Sequence, residues 1–301
     1  MTARHSGTRQ PPNQSDQNPP CLTLGTANFG ERWGSGWNMK EDAAARLLHR
    51  AADLGIERLD TANVYNGGAS EKMLGQLLSR EGLRNRFKVA TKFGYRTHAT
   101  SAHAGGSGAK AMITAVEASL ERLQTDRIDL FYLHLWDRVT PIEETLSAAA
   151  TLVRQGKIRD FGLSNVPAWY LARADTLCAS VDLVGISTVQ LQYNLLMRHI
   201  EDEFRDVLDM VGCELVAWGP LADGLLSGKY QIDARQRRLV GGGRLEAAWH
   251  TTSSADPFDD QVITTVSLLQ DIQQETGHPA AQIALSWLLR RPRLCCFVVG
   301  V

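Results

Sequence analysis

Asp60, Tyr65, Lys92 and His134 are four side chains of complementary chemistry, each placed where an apolar run gives way to a polar loop. A carboxylate, a phenol, an ammonium and an imidazole gathered at one place suit proton transfer to a carbonyl. Taken singly, each has a structural explanation as well: Asp60 as a turn residue, Tyr65 as a packing aromatic, Lys92 as a solvated strand end, His134 as a hydrogen-bonded core imidazole. Their joint placement favours chemistry, because an aspartate and a lysine at the inner ends of adjacent strands are costly to bury apart and stable when paired. Such a lysine is expected to depress a neighbouring phenol from its usual pKa of ~10.

The elements that must position these groups alternate along the chain. Short apolar runs at 21–26, 56–60, 87–92, 128–134, 158–163, 184–190, 213–218 and 294–300 read as strands. Amphipathic stretches at 41–54, 70–80, 109–123, 142–155, 167–174, 199–210, 258–276 and 279–290 read as helices. The pattern predicts an α/β fold, a closed (β/α)8 TIM barrel, with the four residues at the C-terminal ends of neighbouring strands where such barrels carry their active sites. An open doubly wound sheet is disfavoured: the nearest glycine loop, 34–37 (GSGW), lacks a third glycine and opens no helix.

Composition narrows the partners. The chain has 301 residues, 44% hydrophobic and 22% charged, with 32 basic against 33 acidic side chains. That balance offers no field for nucleic acid or an anionic membrane, so a small-molecule partner is expected. Five cysteines without a CxxC pair argue against a disulfide framework or a zinc site, and suit a cytoplasmic setting; no metal is expected. Residues 1–20 are polar and proline-rich, read as a disordered tail ahead of a single barrel domain at 21–301, and no run of 18 uncharged apolar residues would span a bilayer.

A proton donor at a carbonyl still needs a nucleophile for the carbon. The stretch 162–166 (GLSNV) begins like a serine elbow but ends in valine, and no cysteine stands at a helix start beside a histidine. A hydride from a bound cofactor is the simplest remaining donor.

The segments 55–75 (GIERLDTANVYNGGASEKMLG), 90–93 (ATKF), 119–137 (SLERLQTDRIDLFYLHLWD), 140–145 (TPIEET), 156–165 (GKIRDFGLSN), 190–196 (QLQYNLL) and 217–230 (AWGPLADGLLSGKY) follow one another in order. With these motifs the chain resembles the aldo-keto reductases, including bacterial sugar and aryl carbonyl reductases and potassium-channel β-subunit-like members. The resemblance implies Tyr65 as general acid, Lys92 and Asp60 as its tuning pair, and His134 as the group that orients the carbonyl. It implies Ser164, Asn165 and Gln190 on a nicotinamide carboxamide, Trp218 stacked on the ring, and Gly25 and Thr26 near the ribose. Gly219, Pro220, Leu221, Gly224, Ser227 and Lys229 resemble the loop over the pyrophosphate, with Gly219 where relatives often carry serine. Trp218 as mere core and Lys229 as a solvated loop lysine are the alternatives.

Trp33, Trp37 and Trp136 are expected to frame a substrate pocket with the loop after strand three, in which His98 and His103 are read as solvent-facing. The stretch 239–245 (LVGGGRL) is expected to be a mobile flap. Relatives continue past the eighth strand with the loop that grips the adenosine 2′-phosphate and a last helix. The resemblance therefore implies a barrel shortened after that strand, NADP (NADPH) as cofactor with NAD admitted, and a homo-oligomer covering the exposed strand. The expected function is reduction of a ketone or aldehyde, on a sugar or natural-product intermediate. The alternative is a non-redox isomerase, dehydratase or cyclase using the same acid/base residues. A nucleotide-sensing subunit ranks last, since His134, which channel subunits replace, is present.

Overall fold

The computed structural model describes residues 21–30, 38–97, 105–183, 185–233, 235–243, 245–246 and 255–300. Eight parallel strands close into a barrel: β1 (Cys21–Gly25), β2 (Arg58–Asp60), β3 (Lys88–Phe93), β4 (Ile128–Leu133), β5 (Ile158–Ser164), β6 (Thr188–Gln192), β7 (Glu214–Trp218) and β10 (Leu294–Gly300). Their order around the barrel is β1, β10, β7, β6, β5, β4, β3, β2. The helices α1 (Glu41–Asp53), α2 (Ala69–Arg80), α3 (Ala109–Leu123), α4 (Ile142–Arg154), α5 (Ala168–Cys178), α6 (Ile200–Val211), α7 (Asp260–Thr276) and α8 (Ala280–Leu289) fill the connections.

Local chemistry sets several of the helix ends. Pro141, Pro167 and Pro279 stand at the N-caps of α4, α5 and α8 with φ of −58°, −66° and −58°. Proline is pre-set for that angle, and its missing N–H costs nothing where no intrahelical partner exists. Gly212 and Gly277 end α6 and α7 in the left-handed region at φ 71° and 72°, where a Cβ would be strained.

Strand residues alternate between two environments. One set, with Leu24, Leu59, Val89, Phe131, Leu133, Phe161, Leu163, Val189 and Leu215, joins the helices in the principal core between barrel and helix ring. The other faces the barrel interior, where the apolar content is small: Val216, Cys296 and Val298 form a separate cluster. Buried polar residues share that interior, among them Thr23, Asp60, Lys92, Thr188 and Gln190. A polar interior is costly unless its groups pair, as Lys92 and Gln190 do with the Asp60 carboxylate.

Four expectations change. The sixth strand begins at Thr188 rather than at 184, because Gly185 adopts φ 136°, outside strand geometry. The stretch expected as a flap contains a hairpin strand instead: β8 (Gln231–Asp233) pairs antiparallel with β9 (Arg238–Val240). Leu239 and Leu245 are buried with Tyr230, Phe258 and Leu269 in a second apolar cluster, which holds the segment down. A disulfide joins Cys21 to Cys296, against the cysteine reading; β1 and β10 are neighbours in register and bring residues 275 apart in sequence to a Cα separation of 4.6 Å. On the last strand, expected to be bare, Phe297 is only 5% exposed and packs into the principal core. Among the described residues no helix is long and apolar enough to cross a membrane.

Candidate active site

Asp60 closes β2, Lys92 stands one residue before the end of β3, and His134 follows β4, its amide hydrogen-bonded to the Phe93 carbonyl at 2.7 Å. Tyr65 opens a short 3-10 turn, Tyr65–Gly68, in which Asn66, Gly67 and Gly68 take φ of 50°, 64° and 92°. Asparagine and glycine accept that reversal at little cost. Asn66 Nδ2 donates to the Phe29 carbonyl at 2.7 Å, tying the turn to the loop after β1. Behind it, the wholly buried Glu71 accepts from Thr91 Oγ1 at 2.6 Å and Arg122 Nε at 2.7 Å, which locks α2 against β3.

These supports bring the four predicted catalytic residues together. Lys92 is completely buried; its Nζ donates to Asp60 Oδ1 and, at 2.8 Å, to the Thr61 carbonyl. The same Nζ stands 3.4 Å from the Tyr65 hydroxyl. His134 meets Tyr65 edge to face at a ring separation of 5.8 Å.

Burial by itself would lower the Lys92 pKa, but the Asp60 carboxylate and then Tyr65 reverse this, and the ammonium is held above its ordinary value. For Tyr65 the expected depression does not emerge. Desolvation outweighs the opposing Lys92 charge and raises the phenol above its ordinary value, so it keeps its proton. Burial, followed by the Lys92 charge, pushes His134 down to about 2, leaving a neutral imidazole. Its Nδ1 is buried and has no hydrogen-bond partner among the described residues.

The residues expected to hold a cofactor form an adjoining network. Asn165, at φ 51°, donates through Nδ2 to the His134 carbonyl at 2.9 Å and to Ser164 Oγ at 3.1 Å. Its Oδ1 accepts from Trp218 Nε1 at 2.9 Å, which fixes the half-buried indole at the end of β7. Gln190 donates through Nε2 to Asp60 Oδ2 at 2.9 Å. Thr26 is fully buried, with its hydroxyl on the Asp60 carbonyl at 3.2 Å and on Ser70 Oγ at 3.1 Å, and so braces β1 against β2. Gly25 is packed closely: a Cβ there would lie 3.0 Å from Val298 Cγ1.

In the segment after β7, Asn194 Nδ2 grips the Gly219 carbonyl at 2.8 Å, and Pro220 and Leu221 lead into a 3-10 turn, Ala222–Ser227. Two expected contacts are spent within that turn: the Gly224 amide on the Leu221 carbonyl at 2.9 Å, and the Ser227 hydroxyl on the Gly224 carbonyl at 2.6 Å. Lys229 is exposed and lies 5.0 Å from the Tyr230 ring.

Three features suit a flat, amide-bearing cofactor. The indole of Trp218 is pinned by its edge, Ser164 and Asn165 adjoin it, and Gln192 Nε2 is buried without a partner among the described residues, close to Gly219. An orphaned amide N–H is costly until an acceptor reaches it. Gln192 lies two residues beyond the predicted Gln190 on the same face of β6, a period-two signal the sequence carried.

Of the residues expected to frame a substrate pocket, Trp33, Trp37, His98 and His103 lie outside the described residues. Trp136 is half-buried in an aromatic group with Trp169 and Tyr170 at ring separations of 5.4 and 5.8 Å. Tyr95, unnoticed in the sequence, meets the His134 ring edge to face at 4.7 Å with 43% of its surface exposed. Asp137 was missed as well: it accepts from the amides of Ser107, Val139 and Thr140 and from the Thr140 hydroxyl, stapling the loop after β3 to the loop after β4.

The chain is similar to known reductases over most of its length. The chain is 32% identical over 291 residues to aldo-keto reductase dtxS3 of Metarhizium robertsii, covering 89% of this chain and 76% of that protein. It is 32% identical over 305 residues to aflatoxin B1 aldehyde reductase member 2 of Homo sapiens, covering 97% and 82%. Norsolorinic acid reductase stcV of Emericella nidulans is 30% identical over 285 residues, covering 93% and 70%. With the aldo/keto reductase family model matched over residues 21–301, a closed eight-stranded barrel and an acid/base cluster at its mouth, the chain belongs to the aldo/keto reductase family, oxidoreductases that draw on a nicotinamide cofactor.

Proposed function

We propose that this protein is an NADPH-dependent reductase of an aldehyde or ketone, with Tyr65 as the proton donor. The observation that carries the reading is the wholly buried Lys92, its Nζ held between the Asp60 carboxylate and the Tyr65 hydroxyl at 3.4 Å. A bound nicotinamide supplies the hydride. Ser164, Asn165, Gln190, Gln192 and Trp218 are the residues that would hold that ring and its amide, and 219–229 the segment that would run beside its phosphates.

As negative charge grows on the carbonyl oxygen, Tyr65 passes its proton there, and the adjacent ammonium stabilises the phenolate left behind. Asp60 keeps Lys92 charged throughout. His134, neutral at working pH, offers the carbonyl a dipole without a competing charge. Tyr95 and Trp136 give the mouth aromatic surface suited to a planar substrate, and two of the relatives are named for reducing aflatoxin B1 aldehyde and norsolorinic acid.

Purified protein mixed with NADPH or NADH and a panel of aromatic aldehydes, ketones and keto sugars tests this, with Tyr65→Phe as control. The expected result is carbonyl-dependent cofactor oxidation that falls by roughly 10²–10⁴-fold in the control. Cofactor oxidation no faster than the control overturns the reading, and substrate conversion without any nicotinamide replaces it with the non-redox one.

A further inference from the structure

The backbone of His134 is fixed from both sides: its amide donates to the Phe93 carbonyl at 2.7 Å, and its carbonyl accepts from Asn165 Nδ2 at 2.9 Å. Its ring is not fixed in the usual way. An imidazole is ordinarily oriented by the hydrogen bond that one ring nitrogen makes, and that bond also decides which nitrogen carries the proton. Here Nδ1 is buried and has no partner among the described residues.

Two phenols bound the ring instead. Tyr65 meets it edge to face at a centroid separation of 5.8 Å and an angle of 83°, and Tyr95 at 4.7 Å and 86°. Tyr65 comes from the turn after β2 and Tyr95 from the loop after β3, so rings from two loops enclose an imidazole carried just past β4. Perpendicular contacts of this kind are a preferred packing of flat rings. The closer of the two is Tyr95, and the backbone before it is bent in a way that suits glycine. Gly94 takes φ 131°, and a Cβ there would lie 3.3 Å from the Leu135 carbonyl oxygen. The Gly94 carbonyl accepts from the Gly106 amide at 2.8 Å, which closes the loop behind Tyr95.

We propose that Tyr95 is a positioning residue for His134: its ring holds the imidazole against Tyr65 and keeps water from Nδ1, so that the single ring proton stays on Nε2. In protein interiors an N–H without an acceptor is rarer than an acceptor left unsatisfied. While Nδ1 stays dry, the bare nitrogen is therefore Nδ1, and the nitrogen left to donate to a carbonyl is always Nε2. The consequence for turnover rests on the reductase reading, whereas the choice of tautomer does not.

Nitrogen-15 NMR of the imidazole rings, in protein without cofactor or carbonyl at neutral pH, reads the tautomer. His134 is assigned by the signals that vanish in His134→Gln. Two well-separated resonances are expected for the wild type, one from the protonated nitrogen and one from the bare nitrogen. Tyr95 is 43% exposed, so its replacement leaves the barrel core untouched. Tyr95→Ala opens one side of the imidazole to water, which satisfies either nitrogen, and the two resonances are expected to converge as the tautomers exchange. In turnover, kcat for Tyr95→Ala is expected to fall about tenfold. Tyr95→Phe keeps the ring and is expected to restore the separation of the resonances and most of the lost kcat. Resonances that stay apart in Tyr95→Ala overturn the proposal, as does convergence in Tyr95→Phe equal to that in the alanine variant. A raised KM for the carbonyl at unchanged kcat overturns it too, since Tyr95 would then serve substrate binding alone. If none of the proteins oxidises cofactor, the reductase reading fails, while the spectra still support or overturn the role of Tyr95.

Discussion

Trp218 donates its indole N–H to Oδ1 of Asn165 at 2.9 Å, and Asn165 in turn donates to the His134 carbonyl. One side chain thus sets the angle of the indole and the height of the β4 loop that carries the imidazole. The residue expected to bind an amide uses its own amide on the protein, through the His134 carbonyl, Ser164 and Trp218.

Asn165→Gly tests this relationship. Glycine keeps the positive φ accessible, so only the side-chain bonds are lost. Nicotinamide cofactor binding, followed by quenching of tryptophan fluorescence, is expected to weaken by about 1–2 kcal/mol, roughly 5- to 30-fold. Unchanged affinity would mean that the indole holds its angle without Asn165.

Lys92→Met leaves the Asp60 carboxylate buried beside an apolar side chain. Removing one partner of a buried pair typically costs about 3–5 kcal/mol, and a fall of that size is expected in urea unfolding. Lys92→Met combined with Asp60→Leu is expected to recover most of the stability while staying inactive, which separates the structural role of the pair from its catalytic one. If the single variant is as stable as the wild type, the pair contributes nothing to folding.

His134 titrates near 6.5 in an unfolded chain and is pushed to about 2 in the folded one. Between those values the unfolded state holds a proton that the native state does not, so stability rises with pH there. The contribution is complete above ~6.5 and is lost progressively as the pH falls toward 2, at up to about 1.4 kcal/mol per pH unit. Urea midpoints at pH 7 and pH 5 are expected to converge in His134→Gln relative to the wild type. An equal acid loss in both proteins would place the titrating group elsewhere.

Asp137 is held at about 2: burial alone would raise its pKa, but the amides of Ser107, Thr140 and Val139 and the Thr140 hydroxyl prevail. Its stabilising share is therefore present above the unfolded value near 3.9 and is lost only as the pH falls through about 2. Asp137→Ala is expected to speed amide exchange at Ser107, Val139 and Thr140 at neutral pH while leaving β3 and β4 protected. Exchange in β3 and β4 as fast as in the loops would make Asp137 a determinant of the barrel rather than of its mouth.

Much of the barrel was legible along the chain, since each strand and helix is a local pattern. Helix Ala109–Leu123 and strand Leu294–Gly300 match their expected limits, because apolar spacing and flanking glycine and arginine residues mark both ends. The four catalytic candidates were legible for the same reason: each stands at or just past a strand end, and barrel topology brings strand ends to one rim. Where a conformation depended on one backbone angle, as at Gly185, or on packing at a distance, as with Leu239 and Leu245, local pattern misled.

By itself, then, the sequence determined the order of the strands, the rim on which Asp60, Tyr65, Lys92 and His134 meet, and the family motifs around them. Only the tertiary structure decided who pairs with whom across the barrel: Gln190 with Asp60, Cys21 with Cys296, and Tyr132 in the space that Gly162 leaves. It also decided the sign of the Tyr65 shift, since burial and an opposing charge must be weighed at one point in space. The physical reason is common to all of these. Periodicity is written between neighbours in the chain, whereas closing a barrel brings together residues from opposite strands whose separation in sequence carries no trace of the contact.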